Sequence, residues 1–156
     1  MTVISENTAQ SIISESPEET ISAGVSFAEK LRAGDIVLLE GDLGAGKTHF
    51  AKGIGIGLGI ESHEVDSPTF AIVNEYEGRD YPVYHFDCYR IKNPREILQI
   101  GWEEYTAGDA LCLIEWAENI AEFILEDAIK VSLSHLDSEK RKIQIIFPGI
   151  IQPNER

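Results

Sequence analysis

Apolar positions along the chain follow two rhythms, one helical and one of short continuous runs. Ile21, Val25, Ala28 and Leu31 recur at the spacing of one helix face. Ahead of them, Ser16-Pro17-Glu18-Glu19 sets a serine at the cap, a proline at the first helical position and a glutamate three residues after the cap. That arrangement satisfies the open amides of a helix start, and Ala33-Gly34 predicts the stop. Ile36-Val37-Leu38-Leu39 is a continuous apolar run with β-branched members, as expected of a strand buried on both faces of a largely parallel sheet. Leu111-Cys112-Leu113-Ile114 is a second such run, closed by Glu115. Further strands are predicted near 128–133 and 143–147. Thr69 to Tyr76 and Tyr81 to Asp87, joined by Glu77-Gly78-Arg79-Asp80, read as an antiparallel hairpin. Asn93-Pro94-Arg95-Glu96 repeats the cap, proline and glutamate pattern and predicts a short helix that Gly101 ends. The tail from Pro148 has no periodic signal, and residues 1–16 and 149–156 are expected to be loose.

The first apolar run delivers the chain into Gly41-Asp-Leu-Gly-Ala-Gly-Lys-Thr48, a full match to G-x-x-x-x-G-K-[ST]. A buried strand entering such a loop and a helix leaving it aim successive backbone N–H groups and a helix dipole at a phosphate. The amides from Leu43 through Gly44, Ala45 and Gly46 to Lys47 and Thr48 are therefore expected to enclose the phosphates of ATP. Gly44 and Gly46 permit positive φ and close approach. Lys47 supplies a point charge to the β- and γ-phosphates, and the Thr48 hydroxyl is offered to Mg²⁺. The helix is predicted to run to about Leu58 although Gly53, Gly55, Gly57 and Gly59 would each cost about 1 kcal/mol relative to alanine in its interior. Ile54, Ile56, Leu58 and Ile60 alternate as a strand would, but the phosphate loop requires a helix after it.

Magnesium needs a second anchor, ordinarily an acid at the end of a neighbouring buried strand. Glu115 and Asp87 both qualify. Glu115 follows the more apolar run and is assigned to the metal, directly or through a water, leaving Asp87 to orient or deprotonate the attacking water; on these residues alone the two roles are interchangeable. Thr69, after Ser67-Pro68, stands where a switch segment would bring a hydroxyl toward the γ-phosphate, or it simply begins a strand. Arg90 either stabilises the transferred phosphate or pairs with an acid. His85, two residues before Asp87, is of a type that in a strand is more often packed or hydrogen-bonded than catalytic.

Composition narrows the setting. The 156 residues suit one domain. Lys and Arg total 13 against 27 Asp and Glu, a net charge of −14, so direct binding to a nucleic-acid backbone is disfavoured unless a partner supplies positive charge. No apolar run approaches membrane-spanning length. The first sixteen residues lack the basic start and apolar stretch of a signal peptide, and Cys88 and Cys112 are not spaced as a metal or redox pair. A cytoplasmic setting is expected.

Taken in order, GDLGAGKT, SPTF at Ser67 to Phe70, HFDCYR at His85 to Arg90 and LIEW at Leu113 to Trp116 resemble the motifs of the TsaE (YjeE) family. The resemblance runs from about Glu19 to Trp116. It implies an α/β, P-loop NTPase-like three-layer fold whose mostly parallel central sheet carries an antiparallel hairpin. It also implies a bacterial ATPase that acts with the TsaB and TsaD proteins in threonylcarbamoyl modification of adenosine beside the tRNA anticodon, meeting tRNA only through the complex. By position it makes Lys47 and Thr48 loop residues, Glu115 the Mg²⁺ ligand and Asp87 the acid needed for hydrolysis. Thr20 would help hold the nucleotide's base, and Trp116 would lie near the site. Ala117 departs from the family, which often has proline there.

Two other classes fit the phosphate loop: a small-molecule kinase with Asp87 as base toward a hydroxyl, and a nucleotide-gated scaffold that never hydrolyses. The chain has no Asn-Lys-x-Asp to read guanine and no arginine-rich lid sequence of the kind small-molecule kinases use. Hydrolysis is expected to be slow alone and faster with partners.

Overall fold

The computed structural model describes residues 2–5, 9–42, 44–61 and 72–148. Leu43, Ser67 to Phe70 and the tail from residue 149 lie outside the described residues. In chain order the strands are β1 (Thr2–Ser5), β2 (Ala9–Ser14), β3 (Ile36–Glu40), β4 (Val73–Glu77), β5 (Pro82–Asp87), β6 (Leu111–Glu115), β7 (Ile129–His135) and β8 (Arg141–Ile146). The helices are α1 (Pro17–Ala28), α2 (Lys47–Gly57), α3 (Glu96–Gln99) and α4 (Trp102–Ala107), with a 3-10 helix at Ala117–Phe123. All eight strands join one sheet in the order β1-β2-β8-β7-β3-β6-β5-β4.

Its centre is parallel: β3 pairs with both β6 and β7, and β6 pairs with β5. Both flanks are antiparallel. The hairpin of β4 on β5 was expected, and its register sets Tyr76 opposite Val83. The other flank was not. Residues 2–5 and 9–14, expected to be loose, are strands that extend the sheet through β8 to β7. β1 pairs with β2, and the next partner of β2 is β8, more than a hundred residues away in the chain, so no local pattern in Ala9-Gln-Ser-Ile-Ile-Ser14 announces that second pairing.

Two cores cover the sheet. On one face α1 and α2 pack with Val37, Leu39, Val83, Leu111, Leu113, Val131 and Ile143. On the other, Leu38, Phe86, Cys112 and Ile114 pack with Ile97 and Trp102 from α3 and α4. The period-2 alternation of a strand sorts these residues, and Phe86 meets Trp102 and Tyr105 edge-on at 5.3 Å each. Burial pushes the thiols of Cys88 and Cys112 up to about 12, so both remain protonated and pack as apolar side chains.

At the start of α1, Ser16 accepts the Glu19 amide at 3.1 Å, while a Glu19 carboxylate oxygen takes the amide of Glu15. The helix ends at Ala28, before Ala33-Gly34. Its buried stripe is Thr20, Ala23, Gly24, Phe27 and Ala28, which leaves Ile21 and Val25 half-buried at its edge. The stripe is rotated because the small residues, not the β-branched ones, face α2. The predicted capping pair at Asn93 forms: Asn93 takes the Arg95 amide, and Glu96 takes the amides of Lys92 and Asn93. The turn it opens closes by bonds of Glu96 to Asn93 and of Ile97 to Pro94, and helix α3 proper begins at Glu96.

The glycines of α2 have a packing reason. A Cβ on Gly53 would drive into the Ile21 carbonyl oxygen, and one on Gly24 into that of Phe50; Gly24 Cα lies 2.9 Å from the position of the Gly53 Cβ. The two helices thus touch backbone to backbone. Gly59, at φ +89, then ends α2: its amide bonds to Ile56, and that of Ile60 to Gly55 at 2.8 Å, a Schellman stop. Helix propensity favours Gly53→Ala by about 1 kcal/mol, but overpacking costs about 1–3 kcal/mol. Gly53→Ala is therefore expected to lower the denaturant midpoint, whereas Gly108→Ala, where a Cβ meets nothing within 4 Å, leaves it unchanged. Equilibrium unfolding of both variants checks the contrast.

Candidate nucleotide site

Parallel strands in register bring their C-terminal ends level. Asp87 pairs with Glu115 across β5 and β6, and Leu39 with Glu115 across β3 and β6. Alternation then fixes which side each acid faces. Leu111, Leu113 and Val83 point to the face covered by α1 and α2, so Glu115, His85 and Asp87, each an even number of residues farther along its strand, point there too. Gly41 leaves β3 at the same edge.

The phosphate loop is shaped by positive φ at Gly44 (79°) and Gly46 (99°), values that side-chain-bearing residues rarely adopt. Gly46 caps α2, and its carbonyl accepts the Phe50 amide at 2.9 Å. The open amides of the first turn therefore face the cleft. Pro17, Thr20, Gly44, Gly46, Lys47, Thr48, Asp87, Glu115 and Trp116 line this cleft of about 320 Å³, together with His49, Glu139 and Arg141.

Within it, Lys47 is only 7% exposed, and its Nζ lies 4.7 Å from the centre of the Trp116 ring, within cation–π range. Trp116 holds left-handed backbone, φ 59° and ψ 42°, a conformation costly for a residue with a side chain, and its ring also meets Tyr89 at 4.9 Å. Where the family often has proline, Ala117 is buried and opens the 3-10 helix. Glu115 is 5% exposed, and one of its oxygens lies 3.0 Å from His85 Nε2. Asp87 is half-buried, and its carboxylate accepts the Tyr89 amide at 3.0 Å. Thr20 is buried. Its hydroxyl is engaged with Ser14 at 2.6 Å and with the Ser16 carbonyl, while its methyl lies toward Gly46.

Not every residue singled out in the sequence comes to the cleft. Ala45 is buried behind the loop, its amide donating to the Asp42 carbonyl at 3.0 Å. Arg90 is exposed on the turn after β5 and is absent from the lining. Leu43 and Thr69 lie outside the described residues. Conversely, Arg141 was not anticipated. It comes from the start of β8, bonds the carbonyls of Asp137, Ser138 and Lys140, and reaches the Gly44 carbonyl at 3.2 Å. Asp137 holds the same turn through the amides of Glu139 and Lys140, and these bonds lower its carboxyl below the usual carboxylate value. Arg141 lies ninety-seven residues from Gly44 in the chain; Asp137-Ser-Glu-Lys-Arg141 reads only as a polar turn.

A parallel sheet with a glycine loop closing onto a helix, and acids level with it on the neighbouring strands, defines a P-loop nucleotide-binding protein. The comparisons narrow the class. The family model described as "Threonylcarbamoyl adenosine biosynthesis protein TsaE" matches residues 14–143. Proteins named "tRNA threonylcarbamoyladenosine biosynthesis protein TsaE" are 43% identical in Rickettsia conorii, over 84% of this chain and 74% of that one. In Bacillus subtilis the identity is 41%, over 85% and 82%. The crystal structure of Bacillus subtilis YdiB superposes with a TM-score of 0.75 at 33% identity, covering 96% of this chain and 89% of that one. The chain belongs to the TsaE family. Among the described residues no helix is long and apolar enough to cross a membrane.

The Arg141 contact has a local consequence. Arg141→Ala removes the side-chain donor to Gly44, and amide hydrogen exchange over residues 44–47 is expected to quicken several-fold. Global stability should change by less than about 1 kcal/mol, because the bonds are exposed. Exchange followed by mass spectrometry, beside a denaturant curve, checks both parts; unaltered exchange means that the contact does not hold the loop.

Proposed function

We propose that the chain is the ATP-hydrolysing subunit of a tRNA threonylcarbamoyladenosine biosynthesis machinery, acting with TsaB and TsaD in the cytoplasm and meeting tRNA only through them. The name shared by its relatives supports the pathway, and the acidic surface, at net charge −14, favours protein partners over bare RNA. The observation that carries the chemistry is the level placement of Asp87 and Glu115 opposite the phosphate loop in one cleft.

Lys47 leaves the Trp116 face and counters the charge of the β- and γ-phosphates, while the amides of Gly44, Gly46, Lys47 and Thr48 enclose them. Thr48 and Glu115 fit the demands of Mg²⁺: both offer hard oxygen atoms, and a nucleotide-bound magnesium takes only one or two carboxylates from the protein, the phosphates supplying the rest. When bound, the ion neutralises charge on the β- and γ-oxygens. Asp87 orients the attacking water and receives its proton. Thr20 helps to hold the nucleotide's base. Trp116 marks the nucleotide's arrival through loss of its lysine contact, and Thr69 acts as a switch residue toward the γ-phosphate. Residues 1–156 work as one ATPase unit.

Phosphate release measured with and without TsaB and TsaD tests the reading. Stimulation by the partners is expected, with turnover abolished in Lys47→Ala. Asp87→Ala should keep nucleotide binding and lose at least 100-fold in single-turnover cleavage, within the range of a removed general base. Intact ATP in the full complex would show a scaffold, and a phosphorylated acceptor would show a kinase.

A further inference from the structure

His85 is the most deeply buried titratable side chain at the cleft, 1% exposed, yet it does not line it. It lies one alternation step behind Asp87 on β5, on the face shared with α2. Its Nε2 is 3.0 Å from one Glu115 oxygen, and both side chains are shielded from water, at 1% and 7% exposure. An ionised carboxylate only accepts hydrogen bonds, so Nε2 is the donor. Nδ1 is buried without a hydrogen-bond partner among the described residues, which makes the Glu115 contact the ring's one polar engagement there.

A buried histidine that faces nothing but a core costs free energy for its unmet polar atoms. An apolar side chain would fill this place between Val83 and Asp87 on β5 at less cost. What the imidazole adds is direction. A glutamate has three rotatable side-chain bonds, and an unrestrained carboxylate at a strand end would sample several orientations. With one oxygen fixed by Nε2, the other is set in a defined direction at the edge of the cleft. Outer partners of this kind, which hold a metal-binding side chain by its second polar atom, typically contribute 10–100-fold to metal affinity.

We propose that His85 is a positioning residue: it anchors one Glu115 oxygen so that the other is presented to the nucleotide-bound Mg²⁺. The proposal rests on the reading of Glu115 as a metal ligand. It makes His85 responsible for metal dependence and not for nucleotide contact. Asp87, on the same strand, keeps its separate tie to the Tyr89 amide.

The test is a Mg²⁺ titration of the full chain holding a fluorescent, non-hydrolysable ATP analogue. Each variant is first shown to be folded by its binding of the analogue in EDTA. His85→Asn, too short to reach Glu115, is expected to bind normally in EDTA and to need roughly 10–100-fold more Mg²⁺ for the metal-dependent gain in affinity. His85→Gln, whose amide nitrogen reaches about as far as Nε2, should recover most of that loss. A packing role alone would not yield this rescue, nor leave metal-free binding untouched. Glu115→Gln is the reference. If it shifts the Mg²⁺ requirement and folded His85→Asn does not, the inference is overturned and the metal assignment stands; if Glu115→Gln shifts nothing, both fall. Should His85→Asn fail to fold, wild-type chain with ¹⁵N-labelled histidine decides. The His85 Nε2 resonance, identified by its absence in His85→Gln, should move when Mg²⁺ joins the bound analogue, and an unmoved resonance overturns the proposal.

Discussion

The cleft depends on three parallel strands ending at one level. Because β3, β6 and β5 run in register, Leu39, Glu115 and Asp87 stand side by side, and the loop that leaves β3 closes over acids that come from strands 75 and 47 residues farther along. No side chain at the site is responsible for this. It follows from the burial of Val37 to Leu39, Leu111 to Ile114 and Phe86 between two helical layers. A slip of one residue in β6 would turn Glu115 to the opposite face and bring Ile114 to the cleft. The hydrophobic alternation that stabilises the sheet therefore also sets the position of the polar end of each strand.

A second constraint acts on the loop from the other side. Helix α2 begins at Lys47, so its axis decides where the open amides aim. That axis is fixed by contact with α1 at Gly24 and Gly53, close enough to exclude any side chain. The same helix α1 carries Thr20 to the cleft, and Thr20 in turn is bonded to Ser14 at the end of β2. Strand, cap and glycine contact thus form one continuous path from the antiparallel flank to the phosphate loop. The glycines weaken α2 as an isolated helix, but they are what allows its close seating.

These two constraints explain what was legible beforehand. The buried runs at 36–39 and 111–114, the hairpin around Gly78 and the helix after Thr48 were readable because each is specified locally, by periodicity or by turn residues. Lys47, Thr48, Glu115 and Asp87 could be brought to one edge from their places at strand and helix ends. What could not be read is non-local. Strand β2 joins the sheet through β8 and carries β1 with it, Arg141 reaches Gly44 across the sheet, and the buried stripe of α1 follows from a partner helix whose glycines looked like defects. His85 was judged by residue type as packed or hydrogen-bonded, and it is both; only the structure shows that its partner is Glu115. Arg90, grouped with Asp87 by sequence proximity, turns outward because the chain leaves the sheet at Cys88.

A protein at net charge −14 that receives a polyanion needs its attraction to be local. At physiological ionic strength charges are screened over about 8 Å, so most of the 27 acidic residues, spread over the surface, act weakly at the cleft. The local field is set by Lys47, Arg141 and the open amides of α2, set against Asp87, Glu115 and Glu139 in the same lining. The two sets nearly balance, and on the proposed reading a divalent cation beside the acids would tip the field toward the phosphates. The Trp116 ring gives the Lys47 ammonium a weak partner, worth about 0.5–2 kcal/mol. On the proposed reading a triphosphate would displace that contact at little cost. The distant acidic surface adds little at that range, so which small molecule the cleft takes rests on its own lining.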